Sequence, residues 1–148
     1  MVNLEKVKEE ILIGKQLEDI VKYYQWQEFE KLVSKILQEN NFDVHRSFRY
    51  KTNRRYEIDV LAVKSDIVLA VDCKQWGRGR YKKSALKNSV KKQVMRTKQL
   101  NKVLVGENIK IMPLIVTWYE EDLIEHDNVW VVPIWKLNEF LLSLSDYI

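Results

Sequence analysis

The stretch YEIDVLAVKSDIVLAVDCKQW, residues 56–76, is mostly apolar, yet it carries Asp59, Asp72 and Lys74. Charged side chains are seldom buried unless they are paired or bind a metal. Side chains alternate across a strand, so Asp72 and Lys74 share a face with Val68 and Ala70. A D-x-K spacing thus brings both polar tips to one point at the strand's end. Whether Asp59 joins them depends on register. In an antiparallel hairpin, an even loop such as Ser65-Asp66 sets Asp59 opposite Asp72. An odd loop sends Asp59 to the other face unless a bulge intervenes. The even register or a compensating bulge is expected. Burying three isolated charges is costly, and a divalent cation between two carboxylates removes most of that penalty.

A third acid can come from the helix before the sheet. In QWQEFEKLVSKILQENN (25–41), Trp26, Phe29, Leu32, Val33, Ile36 and Leu37 fall on one stripe centred near Val33. Glu30 lies on the border of that stripe, Glu28 further round, and Lys31 points away. Glu30 is therefore the acid best placed to look into the sheet. Each residue also has a plainer reading: Glu30 as a boundary glutamate, Asp59 and Asp72 as strand-end acids salt-bridged to a neighbour. Cys73 points to the opposite face from Asp72, so its thiol reads as a core group rather than a nucleophile. His45 and His126 are far from these residues in sequence and read as surface or structural.

These side chains need a frame. Residues 3–22 read as a helix, 25–41 as a second, and FDVHRSFRY as a strand followed by the basic turn KTNRR. Two strands, YEIDVLAV and IVLAVDCK, come next, then a helix over about 83–104. IKIMPLIVTW is another strand, NVWVVPI a shorter one with a short helix before it, and WKLNEFLLSL a closing helix. The order predicts an α/β sandwich around one mixed central sheet, of αβββαβ type. The runs IVLAV and IMPLIV lack alternation, as strands covered on both faces do. Pro113 argues that its strand is bulged or near an edge.

The net charge of +4 hides an asymmetry. From Cys73 to Gly106 there are eleven Lys or Arg and no acid, while the remaining 14 basic residues face all 21 acids. A second acid-free stretch, VHRSFRYKTNRRY (44–56), holds five more basic residues. Charge gathered this way suggests a polyanionic partner, against the plainer reading of a solvated face. No apolar run is long enough to span a membrane. The amphipathic, acid-containing N-terminus resembles neither a signal nor a transit peptide. The single cysteine excludes an internal disulfide framework. The expected compartment is the cytoplasm.

F-E on the N-terminal helix, EIDVLA on one strand and VDCK on the next resemble the PD-(D/E)XK nuclease superfamily, closest to its Mrr-type restriction endonuclease and archaeal Holliday-junction-resolvase branches. The resemblance covers roughly residues 26–145, since PLIVTW and VVPIWKLNEFL match the last strand and helix of Mrr-type domains. It implies a nuclease domain over 25–148, with 1–24 as an N-terminal helical extension. Asp72 stands where many members carry Glu, and YEID where Mrr domains often show a glycine pair before the aspartate. By the resemblance, Asp59 and Asp72 are Mg²⁺ ligands with the backbone carbonyl of Cys73, and Glu30 completes the shell directly or through water. Lys74 orients and helps deprotonate the attacking water. The chemistry of the residues agrees: hard carboxylate oxygens suit Mg²⁺ or Mn²⁺, and metal-bound water attacking a phosphodiester is metal-assisted hydrolysis.

Gln75 follows the lysine on the other face and is a candidate to line the site, against the plainer reading of a structural residue. Gln93 lies within the expected buried stripe Leu86, Val90, Val94, Thr97, Leu100, Leu104 of the 83–104 helix. A polar group there needs a partner. The site carboxylates or a substrate phosphate would serve, and a purely structural amide is the alternative. Lys87, Lys91 and Lys98 on that helix, with Arg78, Arg80, Lys82 and Lys83 before it, are expected to track a DNA phosphate backbone. Trp76 and Tyr81 are candidates for base stacking, or for the core. The leading expectation is a Mg²⁺-dependent endodeoxyribonuclease acting on duplex or branched DNA, as a homodimer that pairs two sites. The alternative is a DNA-binding module that keeps the fold without cutting; RNA cleavage is a third reading.

Overall fold

The structure, a computed structural model, describes residues 26–74, 83–104, 106, 108–118 and 124–147, with the single helical positions Glu5 and Glu9. The expected helix over 3–22 lies outside this set, as do Gln75, Trp76, Arg78, Arg80, Tyr81, Lys82 and the side chain of Lys83. The first helix, α1 (Trp26–Glu39), buries Phe29, Leu32, Val33, Ile36 and Leu37, the stripe that its sequence spells. It ends at Asn41, which takes the left-handed conformation (φ 68°) and turns the chain so that Phe42 N–H bonds the Leu37 carbonyl at 3.1 Å.

Three antiparallel strands follow, β1 (Asp43–Lys51), β2 (Arg55–Lys64) and β3 (Ile67–Lys74). Helix α2 (Lys83–Val103) then crosses over to β4 (Lys110–Thr117), parallel to β3. A short β5 (Ile124–His126), β6 (Val129–Pro133) and α3 (Ile134–Leu142) complete the chain. The sheet has six strands in the order β1-β2-β3-β4-β6-β5. The short helix expected between β4 and the last strand falls partly on residues 119–123, outside the described set; the described residues 124–126 form an edge strand paired with β6. Among the described residues no helix is long and apolar enough to cross a membrane.

Both faces of the sheet are covered. Val60, Ala62, Leu69, Val71, Cys73, Leu114 and Val116 pack under α1 and α3. Val68, Ala70, Ile115 and Val131 face α2, whose Val90 and Leu100 lie against them. Alternation along β3 therefore assigns Asp72 and Lys74 to the α2 side and Cys73 to the α1 side. The strand of Pro113 runs between β3 and β6; the proline sits opposite Ala70 of β3, and the β4–β6 pairing begins one residue later, at Leu114.

One irregularity shapes the sheet near its polar end. Val60 and Ala62 belong to the α1-side core, whereas Tyr56 and Ile58, of the same parity, belong to the α2-side core. The β1–β2 register is unbroken across this change, from Arg46↔Val60 to Phe48↔Ile58. Between these pairs lie Asp59 and Ser47, and Ser47 has φ 53°, outside the strand region. The far half of the hairpin thereby rolls over onto α2.

A candidate acidic site at the end of the sheet

The β2–β3 ladder runs from Lys64↔Ile67 to Val60↔Val71 and is closed by two residues, Ser65-Asp66, with Ser65 at φ 57°. The even loop puts Asp59 and Asp72 at the next position of the register, just past the last ladder pair. Asp59 Oδ2 accepts the Cys73 backbone N–H at 2.9 Å. This bond turns Asp59 towards β3 where the ladder gives out, and the roll at Ser47 begins at the same level.

Asp72 is almost fully buried, 4% exposed. Lys74 Nζ stands 3.3 Å from its Oδ2 and Arg96 Nη1 3.6 Å from its Oδ1. Despite the lysine, Oδ2 lacks an aligned hydrogen bond. Burial pushes the Asp72 carboxyl up to about 7, and the neighbouring Asp59 carboxylate adds to the rise. Lys74 and then Arg96 oppose the shift without cancelling it. Two carboxylates packed together in a low-dielectric pocket are an unfavourable anion pair until a proton or a cation joins them.

Thr117 is a site residue that the sequence did not single out, and Arg96 reads there only as one of the basic residues flanking the 83–104 helix. Gln93, completely buried, gives its Nε2 to the Ala70 and Leu114 carbonyls, both at 2.9 Å. Its partners are thus backbone carbonyls of β3 and β4. With the amide nitrogen anchored, Gln93 Oε1 is fixed to receive Arg96 Nη1 at 3.2 Å, and so the guanidinium is held beside Asp72. Thr117 pairs with Lys74 in the β3–β4 register and shares its face. Its hydroxyl is buried and has no hydrogen-bond partner. Gln93 is buried as expected, but the helical phase differs at Val94, expected inside and 39% exposed, while Ser89 and Gln99 are buried.

Glu30 is buried at the edge of the α1-side core, where Arg46 Nη2 meets its Oε1 at 3.3 Å. Its charge is felt at the Cys73 thiol, which burial, then Asp59, Asp72 and Glu30, push well up. The thiol is a core group on the α1 side. As they stand, no three His, Cys, Asp or Glu side chains among the described residues converge into a metal cluster. The geometry brings Asp59, Asp72, Lys74 and Arg96 together, with Glu30 held by Arg46 on the α1 side. Lys87, Lys91 and Lys98 all lie exposed on the outer face of α2.

A family model for a restriction endonuclease of the Mrr catalytic type matches residues 21–117. An uncharacterised protein of Archaeoglobus fulgidus is 34% identical over 124 residues, covering 83% of this chain and 94% of that protein. The crystal structure of a protein of unknown function is similar with a TM-score of 0.46 and 22% identity. That similarity covers 60% of this chain, and the chain spans only 45% of the other.

Proposed function

The chain belongs to the Mrr-type restriction endonuclease family, and from that membership we propose that it hydrolyses DNA phosphodiester bonds with Mg²⁺ or Mn²⁺. The observation that carries this reading is the buried Asp72 carboxylate beside Asp59, with Oδ2 lacking a hydrogen bond and Lys74 Nζ 3.3 Å away. Asp59, Asp72 and the Cys73 carbonyl would hold the ion, and Glu30 would complete the shell directly or through water. The donor set fits: hard oxygens favour such ions. The Cys73 N–H is directed at Asp59, and in an extended strand the carbonyl of the same residue faces the same neighbour. When bound, the ion supplies a water of lowered pKa and neutralises charge on the phosphate.

The remaining chemistry belongs to side chains. Lys74, 30% exposed, reaches both the acid pair and solvent. From there it orients a water and donates to a phosphoryl oxygen as negative charge grows. Arg96, 24% exposed, offers a planar set of donors from the helix side, suited to a phosphate. The buried Thr117 hydroxyl beside Lys74 has a free donor for the same water or oxygen.

A DNA-binding module without cleavage is the second reading, and one observation favours it. Asp72 already has two cations within 4 Å, a charge balance that needs no metal. Incubation with linear, single-stranded, flapped and four-way-junction DNA in Mg²⁺, Mn²⁺ or EDTA separates the two. Metal-dependent cutting by the wild type, lost in Asp59→Ala, Asp72→Ala and Lys74→Ala, supports the enzyme; near-wild-type cutting by either aspartate variant refutes the site. Selectivity for branched over linear DNA is part of the proposal and is read from the same panel. So is a homodimer with one site per strand, tested by sedimentation with and without DNA.

A further inference from the structure

We propose that the rolled end of the β1–β2 hairpin, residues 48–58, is a fixed basic arm that grips the backbone of duplex DNA beside the acid pair. The choice of partner rests on the DNA-directed reading above, but the arm itself is argued from its own geometry. Because the strands change face at Ser47 and Asp59, the apolar side of the arm lies on α2. Tyr50 donates its hydroxyl hydrogen to the Arg96 carbonyl at 2.6 Å. Thr52 Oγ1 bonds Gln99 Oε1 at 2.5 Å, and the rings of Tyr50 and Tyr56 stack at 5.5 Å. Two hydrogen bonds thus tie the arm to α2, and a buried aromatic pair joins its two strands. Such a segment loses little freedom when it binds.

The opposite parity faces outward. Arg49, Lys51, Arg55 and Glu57 line an open depression of about 570 Å³ floored by Tyr50 and Tyr56. Arg54 at the tip lies over the Tyr56 ring, 4.8 Å from its centre. Among the described residues only Arg49 of these four cations pairs with an acid, Glu57 at 3.2 Å. Charge left unpaired on a pinned surface fits a polyanion. Residues on one face of a strand recur about every 6.8 Å, two base-pair rises of a duplex. Five residues separate Asp59 from Arg54, about 17 Å of strand, so the arm reaches phosphates about 5 base pairs from the acid pair.

The test is binding in EDTA, where cleavage plays no part, so failure of the nuclease reading and failure of the arm appear in different experiments. The combined variant Arg49→Gln, Lys51→Gln, Arg54→Gln, Arg55→Gln is measured against 30-base-pair DNA over a salt series. Each lost phosphate contact flattens the log–log salt slope by about 0.9. A loss of about 2 to 4 in the slope is expected, with weakened binding on every sequence. The variant Arg49→Lys, Arg54→Lys, Arg55→Lys keeps the charges and is expected to keep the slope; its loss would mark a structural role and overturn the proposal. Equal slope and affinity in wild type and the glutamine variant would also overturn it, as would no wild-type binding at low salt. Shortening the duplex on one side to under about 5 base pairs from the bound acid pair should bring the wild type down to the glutamine variant.

Discussion

Asp72→Asn should make the metal-free protein more stable, although it removes the partner of two cations. The carboxyl titrates near 7 in the folded chain, raised from 3.8 mainly by burial. Folding therefore binds a proton between about pH 4 and 7, and wild-type stability falls as pH rises through that window and is level above it. A rise of this size corresponds to about 4 kcal/mol against the ionised form at pH 8. The attraction of Lys74 and Arg96 is already contained in it. Asparagine copies the neutral shape without the charge, so a gain of about 2–4 kcal/mol is expected at pH 8 in EDTA, shrinking towards zero near pH 4. Urea unfolding of both proteins at pH 5 and pH 8 measures this, and the difference between the two pH values cancels the shared titrations. Added Mg²⁺ should raise the wild-type midpoint and leave the variant's unmoved. If the variant is less stable than wild type at pH 8 in EDTA, the two cations already compensate Asp72, and the case for a missing cation fails.

Proton and metal compete for Asp72, so Mn²⁺ affinity, read by calorimetry, should weaken by about tenfold per pH unit below pH 7 and level off above it. Gln93→Leu leaves the Ala70 and Leu114 carbonyls without their side-chain donor and frees Arg96; a loss of about 2–3 kcal/mol in urea unfolding is expected. Replacing Lys87, Lys91 and Lys98 together by Gln should weaken DNA binding on all sequences and flatten the salt slope by up to about 3. An unchanged slope there, with the hairpin arm effective, would put the duplex on the arm's side and leave the outer face of α2 to solvent.

The parts of the site that are legible in sequence are those set by local alternation. Asp72 and Lys74 fall on one face because strand parity puts them there, and Asp59 follows because Ser65-Asp66 is an even loop. The α1 stripe and the mixed sheet follow from the same periodicities. Legibility fails where an element's phase is decided by a distant backbone. Hydropathy centres the buried side of α2 on Val90, Val94 and Thr97. Gln93 lies inside, as its place within that stripe predicts, but its partners are carbonyls of β3 and β4, 23 and 21 residues away, and Val94 is turned to solvent. Gln93 in turn receives Arg96, whose guanidinium lies 3.6 Å from Asp72, a contact between helix and strand that local periodicity does not specify. Pro113 lies opposite Ala70 on the β3 side, while the β4–β6 ladder begins only at Leu114, so the proline stands just outside that ladder. The glutamine and the arginine thus form one linked arrangement, in which the amide that bonds the Ala70 and Leu114 carbonyls also aims a cation at the acid pair. The predicted effects of Gln93→Leu on stability and on the placement of Arg96 are, on this account, one effect seen at two ends of a single amide.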